Sequence, residues 1–291
     1  MKKKFNLLKK ISTKCIFLFI YFYSKFSYKR NIQFKFYFFI IVIFFLIGYY
    51  LGRVYKNINF NSKKLSHELS NFKSYTKALE DLILFCIFYD VNNGFYIDIG
   101  ANDPNIGSVT KAFYLRGWNG INIEPLPNKF QRLLKSRKRD INIQIGVGKI
   151  IGNASFFGDD ARASLIKENS RNNSRVITIN IDTMSNICNK YIPKKEIIQF
   201  CKIDIEGEEK NALLGYDFEN YRPKVFCIES TKPGTNIPCF DQWEFILFQN
   251  DYSFVYQYKV NRYYIDNRIE GLRKRFMFVE NAIKLYNQKK K

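Results

Sequence analysis

Five acidic residues stand where short apolar runs end. Asp98 lies in Phe95–Ile99, just before Gly100-Ala101-Asn102-Asp103-Pro104. Glu124 and Pro125 follow Gly120–Ile123. Asp204-Ile205-Glu206-Gly207 follows Gln199–Ile203, and Glu229 follows Lys224–Ile228. If these runs are strands of one parallel sheet, the acids gather at its carboxyl edge, where open α/β sheets bind ligands. An acid at the end of the second strand can accept hydrogen bonds from both hydroxyls of a ribose. The 26 residues from Asp98 to Glu124 suit one βαβ unit. Gly100 and Ala101 let the backbone approach a ligand closely. A helix starting at Ser108 would offer N–H groups to a ligand carboxylate, while Asp98 or Asp103 could meet an ammonium. Asp204 and Glu206 are candidates for taking a proton from an acceptor. Either could instead cap a helix, and Glu229, a weaker candidate for touching the acceptor, could equally be a surface strand end.

The elements needed to position these residues are visible in the pattern. Leu79–Phe88 has helical spacing. Strands at Phe95–Ile99, Gly120–Ile123 and Ile141–Ile145 alternate with helices at Ser108–Arg116 and Asn128–Ser136. The pattern then loosens, with β-like segments at Ala154–Phe157 and Val176–Ile181. A strand at Gln199–Ile203, a helix at Glu206–Leu214 and a strand at Lys224–Ile228 follow. A helix at Asp241–Leu247 and a closing hairpin, Ser253–Gln257 with Arg262–Ile265, complete it. Such alternation predicts an α/β fold, a mostly parallel central sheet with helices on both faces.

Charge is unevenly spread. Fourteen Lys and Arg precede the first acid, Glu68, and without them the formal charge falls from +21 to about +7. The high pI is thus a property of the N-terminus, and no nucleic-acid partner is expected. The six cysteines form no CxxC pair and His67 is the sole histidine, which excludes an ordinary zinc site. No metal ligand is assigned, although Asp204 and a neighbouring acid are chemically able to hold a divalent cation. The run 36–52, FYFFIIVIFFLIGYYLG, is uncharged and bracketed by Lys35 and Arg53. It suits a single transmembrane helix near the lower length limit. Ten Lys and Arg precede it and four lie between Arg53 and His67, which predicts a cytoplasmic N-terminus. The organisation expected is a basic segment 1–35, a span 36–52, a stalk 53–78, a catalytic domain 79–280 and a basic tail 281–291.

Several stretches together resemble the FkbM-type methyltransferase family: Tyr96-Ile-Asp-Ile-Gly-Ala-Asn102, Ile123-Glu-Pro-Leu-Pro127, Lys202-Ile-Asp-Ile-Glu-Gly-Glu208 and Leu213-Leu-Gly215. Val109–Glu124, Tyr221–Thr231 and Asn261–Tyr264 are similar to one subgroup. The resemblance implies a class I Rossmann-like fold and transfer of a methyl group from S-adenosylmethionine to a hydroxyl of a sugar in a glycan, polysaccharide or glycolipid. It implies that Asp98, Gly100, Asn102 and Glu124, with Ala101, Ser108 and Pro125 beside them, hold the donor. Asp204 and Glu206 would line the reaction site. Many such enzymes place an acid for adenine after the third strand, and Ile145-Gly146-Val147 has none. A nicotinamide enzyme would need a GxGxxG turn after the first strand, which is missing here. A glycosyltransferase would usually carry a DxD-like acid pair, to which Asp204-Ile-Glu206 is the nearest approach. A non-catalytic module that kept the fold is the remaining rival.

Overall fold

The computed structural model describes residues 65–158, 164–165 and 176–289, with 43 and 48 as isolated positions. The chain divides into two compact units, Met1–Asn61 and Ser62–Lys291, and the fold below is that of the second. The expected span 36–52 lies outside the described residues except for 43 and 48, which are helical and exposed. Among the described residues no helix is long and apolar enough to cross a membrane.

Among the described residues ten strands form two sheets. They are β1 Phe95–Ile99, β2 Asn119–Ile123, β3 Ile141–Ile143, β4 Gly146–Val147, β5 Gly152–Phe157, β6 Val176–Asp182, β7 Ile198–Ile203, β8 Val225–Glu229, β9 Tyr252–Tyr258 and β10 Asn261–Asp266. The larger sheet runs β3-β2-β1-β7-β8-β10-β9. The pairs from β3 to β8 are parallel, and β10 lies antiparallel to both its neighbours. The chain builds outward from β1 to β3 and returns to β7 on the opposite flank of β1. The strand order therefore reverses between β1 and β7, and a crevice opens there. The smaller sheet, β4-β6-β5, is inserted between β3 and β7.

The two-residue period of a strand divides the core. Tyr96, Phe200, Val225, Cys227 and Tyr263 face a cluster containing helix α1, Glu80–Phe88. Ile97, Ile99, Cys201, Ile203, Phe226 and Ile228 face the other way, toward Met184, Ile187, Trp243 and Leu247. Every residue of α1 after Glu80 is buried, Asp81 being the one that is not apolar, so this helix is a core element. Trp118 and Trp243 are buried in the two cores. Five of the six cysteines are buried free thiols.

Several boundaries differ from expectation. Helix α2 is only Lys111–Leu115, because the Thr110 hydroxyl is drawn to Asp98 at 2.9 Å and Ser108 is held by Arg137. Helix α3 is Pro127–Ser136. Helix α4, Met184–Tyr191, was not anticipated, although Thr183 caps it by accepting from the Asn186 N–H. Helix α5 starts at Glu209, not Glu206, since Glu206 and Gly207 have φ of 55° and 107°. Helix α6 is Glu244–Gln249, and α7 is Leu272–Phe276.

Both ends of the unit are packed. Residues 65–78, assigned to a stalk, contribute buried Leu65 and Leu69. The supposed tail forms most of helix α8, Val279–Lys289, which buries Val279, Ala282, Ile283 and Tyr286. That helical spacing is masked in the sequence by intervening polar and basic residues. The Lys289 ammonium donates to the carbonyls of Leu69 and Ser70.

Asp81 secures the N-terminal segment. Its fully buried carboxylate accepts from the Ser74 and Thr76 hydroxyls and from the Tyr75 and Leu82 N–H groups. Replacing it by Ala would leave these donors without an acceptor. Asp81→Ala should therefore lower unfolding stability by roughly 3 kcal/mol, seen in urea denaturation as a lower midpoint with little change of slope.

Candidate active site

A cavity of about 660 Å³ opens beyond the carboxyl ends of β1, β2, β7 and β8. Asp98, Gly100, Ala101, Asn102, Glu124 and Pro125 form one side, and Asp204, Glu206 and Glu229 the other. Residues 74–78 contribute to its wall, as do Phe156 and Ile179 of the inserted sheet. The crevice at the strand reversal thus receives nine of the eleven site residues expected from sequence.

The β1 loop is built on backbone contacts. Gly100 has φ of +76°, and a Cβ there would lie 2.0 Å from the Asp204 carbonyl oxygen. The glycine is required because two loops touch, a stronger reason than ligand approach alone. The N–H groups of Gly100 and Ala101 both donate to the Ile123 carbonyl. Asn102, at φ 50°, donates its N–H to Glu124 Oε2 at 2.8 Å, and Leu126 donates to Oε1 at 2.9 Å. Glu124 is 4% exposed. Burial pushes its carboxyl above the usual range, and the two N–H groups oppose that shift. Each oxygen keeps acceptor capacity for a further donor. The Asn102 Oδ1 is buried without a hydrogen-bond partner.

Two expectations fail. Ser108 does not line the cavity; its hydroxyl accepts from the buried Arg137 guanidinium at 2.8 Å. Asp103 accepts from the N–H groups of Asn105 and Ile106 and pairs with Arg132, so it closes a turn. The short helix α2 begins well beyond the loop, and its amino end is not the anion cradle anticipated. Asp98 reaches the cavity, yet it is 1% exposed and its carboxylate is engaged by Thr110 and by the Lys202 ammonium, 3.5 Å from Oδ1.

At the far side Asp204, Glu206 and Glu229 bring carboxylate oxygens within 4.8 Å of one another, a spacing able to hold a metal ion. Glu209 lies beneath, accepting from the Ile205 and Gly207 N–H groups. Burial pushes Glu209 up to about 7. Burial and the charges of Asp204 and Glu206 push Glu229 up to about 10. Asp204 has 40% of its side chain exposed. The residue missed from sequence is Lys202, whose ammonium lies 3.4 Å from Asp204 Oδ2. A lone charge inside the apolar run IQFCKI was the available signal.

The model of the methyltransferase FkbM domain matches residues 98–256, more than half of the chain. The chain belongs to the FkbM methyltransferase family. No curated protein matches it. The mostly parallel seven-stranded sheet agrees with this membership, and the FkbM domain's cavity lies at the position where the fold gathers its acids.

Glu209 and Glu229 bind protons more tightly in this FkbM domain than the ordinary carboxyl at 4.5. The unfolded chain therefore binds fewer protons than the folded one above that value, and stability must fall as pH rises. Thermal unfolding of the ligand-free protein should shift downward as pH climbs from 4.5 through about 7 toward about 10. Glu229→Gln should flatten the upper part of that decline, and an unchanged slope would refute the assignment.

Proposed function

We propose that this domain transfers a methyl group from S-adenosylmethionine to a hydroxyl of a sugar carried by a glycan, polysaccharide or glycolipid. The observation that carries the reading is that Glu124 and the acids ending β7 and β8 face one cavity at the strand reversal of an FkbM methyltransferase domain. The donor supplies an electrophilic methyl carbon on a sulfonium. The residues present fit it. Glu124 has acceptor capacity left for ribose hydroxyls, and the orphaned Asn102 Oδ1 needs a donor. Leu126, Phe156 and Ile179 offer apolar surface for an adenine, which answers the lack of an acid after β3. Asp98 acts from beneath, holding the loop through Thr110.

Asp204 is placed to receive the proton that the acceptor hydroxyl loses. Proton transfer of this kind is worth roughly 10²–10⁴-fold, and Glu206 supports it from the next turn. Glu229 keeps its proton near neutral pH and can donate it in a hydrogen bond to an acceptor oxygen. Positioning the hydroxyl in line with the methyl carbon supplies much of the remainder.

Asp204→Asn should reduce labelled methyl transfer into cellular glycan and lipid fractions by about 10²-fold or more, with S-adenosylmethionine affinity nearly unchanged. Isothermal titration showing no affinity of the wild-type protein for this donor would refute the reading. The run 36–52 we assign to a bilayer anchor with a cytoplasmic N-terminus. The full chain should then resist extraction by alkaline carbonate, and deletion of 36–52 should release it.

A further inference from the structure

We infer that Lys202 is a positioning residue that locks the donor loop to the acid that takes the acceptor proton. The inference rests on the methyltransferase reading above and adds a role for a group that reading does not use. Lys202 sits in β7, where all six residues are buried. It is level with Asp98 on β1 and Cys227 on β8, and two residues before Asp204. Its ammonium donates to the Gly100 carbonyl at 2.8 Å. The same ammonium lies 3.5 Å from Asp98 Oδ1 and 3.4 Å from Asp204 Oδ2.

A buried lysine normally loses its proton because desolvation penalises the charge. Here desolvation is the largest single effect, yet Asp204 and Asp98 together raise the group above its ordinary value. Glu80 of α1 adds a further negative charge. The ammonium is thus met by oxygens of three groups. Its three partners are a carbonyl of the donor loop, a carboxylate under that loop and a carboxylate at the acceptor end. Among the described residues lining the cavity, the other cationic side chain, Lys77, belongs to the N-terminal segment. One ammonium thus ties both halves of the crevice, so its loss should disturb donor affinity and the chemical step by separate routes.

The test uses the full chain with S-adenosylmethionine and S-adenosylhomocysteine as probes. Lys202→Met should weaken binding of both by about tenfold, the order of one charge-assisted hydrogen bond. At saturating donor it should lower labelled methyl transfer into the glycan fraction by about a hundredfold. In an Asp204→Asn background the same change should weaken binding equally but cost no further rate, because Lys202 acts on the chemical step through Asp204. A lysine with a merely structural role would give additive rate losses, and that result, or binding and rate unchanged by Lys202→Met, overturns the inference.

Should Lys202→Met fail to fold, nitrogen-15 spectra of lysine ammonium groups decide. The protected Lys202 signal of the wild-type chain should move in Asp204→Asn; a signal that stays in place overturns the tie. Failure of the wild-type protein to bind either probe would reject the donor assignment instead, leaving the spectroscopic result to judge the Lys202–Asp204 link by itself.

Discussion

Two loops meet at backbone distance where the sheet reverses its order, and the site depends on that contact. Gly100 leaves room for the Asp204 carbonyl that any side chain would fill. The Asp204 N–H donates to the Ile99 carbonyl at 3.2 Å, extending the β1–β7 ladder one step past the strands. The main chain therefore fixes the Asp204 backbone relative to the loop after β1, and the Lys202 ammonium, 3.4 Å from Oδ2, holds its carboxylate, a division of labour that preorganised sites require.

That placement gathers many acids around a cavity whose described lining has two cations, Lys77 and Lys202, and each acid is handled differently. Glu124 takes backbone N–H groups on both oxygens. Asp98 takes a hydroxyl and shares an ammonium. Glu209 takes two N–H groups and still shifts upward under burial. Glu229 holds its proton. Burying several carboxylates as anions would be prohibitive, and protonating Glu229 removes one charge from the cluster. Asp204 keeps 40% of its side chain open to solvent.

How much of this was legible in the sequence follows from range. The strands β1, β2, β7 and β8 were readable because each is a short apolar run ended by an acid, and strand ends in a parallel sheet converge on one edge. The individual roles of Ser108 and Asp103 were not, because the distant Arg137 and Arg132 claim them. Lys202 has no local signature beyond its charge, since its place beside Asp98 comes from a register against β1 that no local pattern encodes. Helix α8 was hidden because its apolar stripe is narrow and its remaining positions are polar or charged.

The family match, 98–256, is smaller than the unit that builds the site. It omits the start of β1, all of β10, the core helix α1 and the whole 74–78 segment lining the cavity. That segment is fixed from several directions: Asp81 holds Ser74, Tyr75 and Thr76, Tyr286 of α8 accepts from the Ser74 N–H, and the Tyr75 carbonyl accepts from Gly107 of the donor loop. Helices α1 and α8 are in turn parts of the same core as Tyr96 and Phe200 beneath the site. The 74–78 wall of the cavity is thus held by the two extremities of the unit, residues 65–89 and 272–289. The matched stretch contributes the acids and most of the lining, and residues 74–78 with Glu80 complete the cavity from outside it.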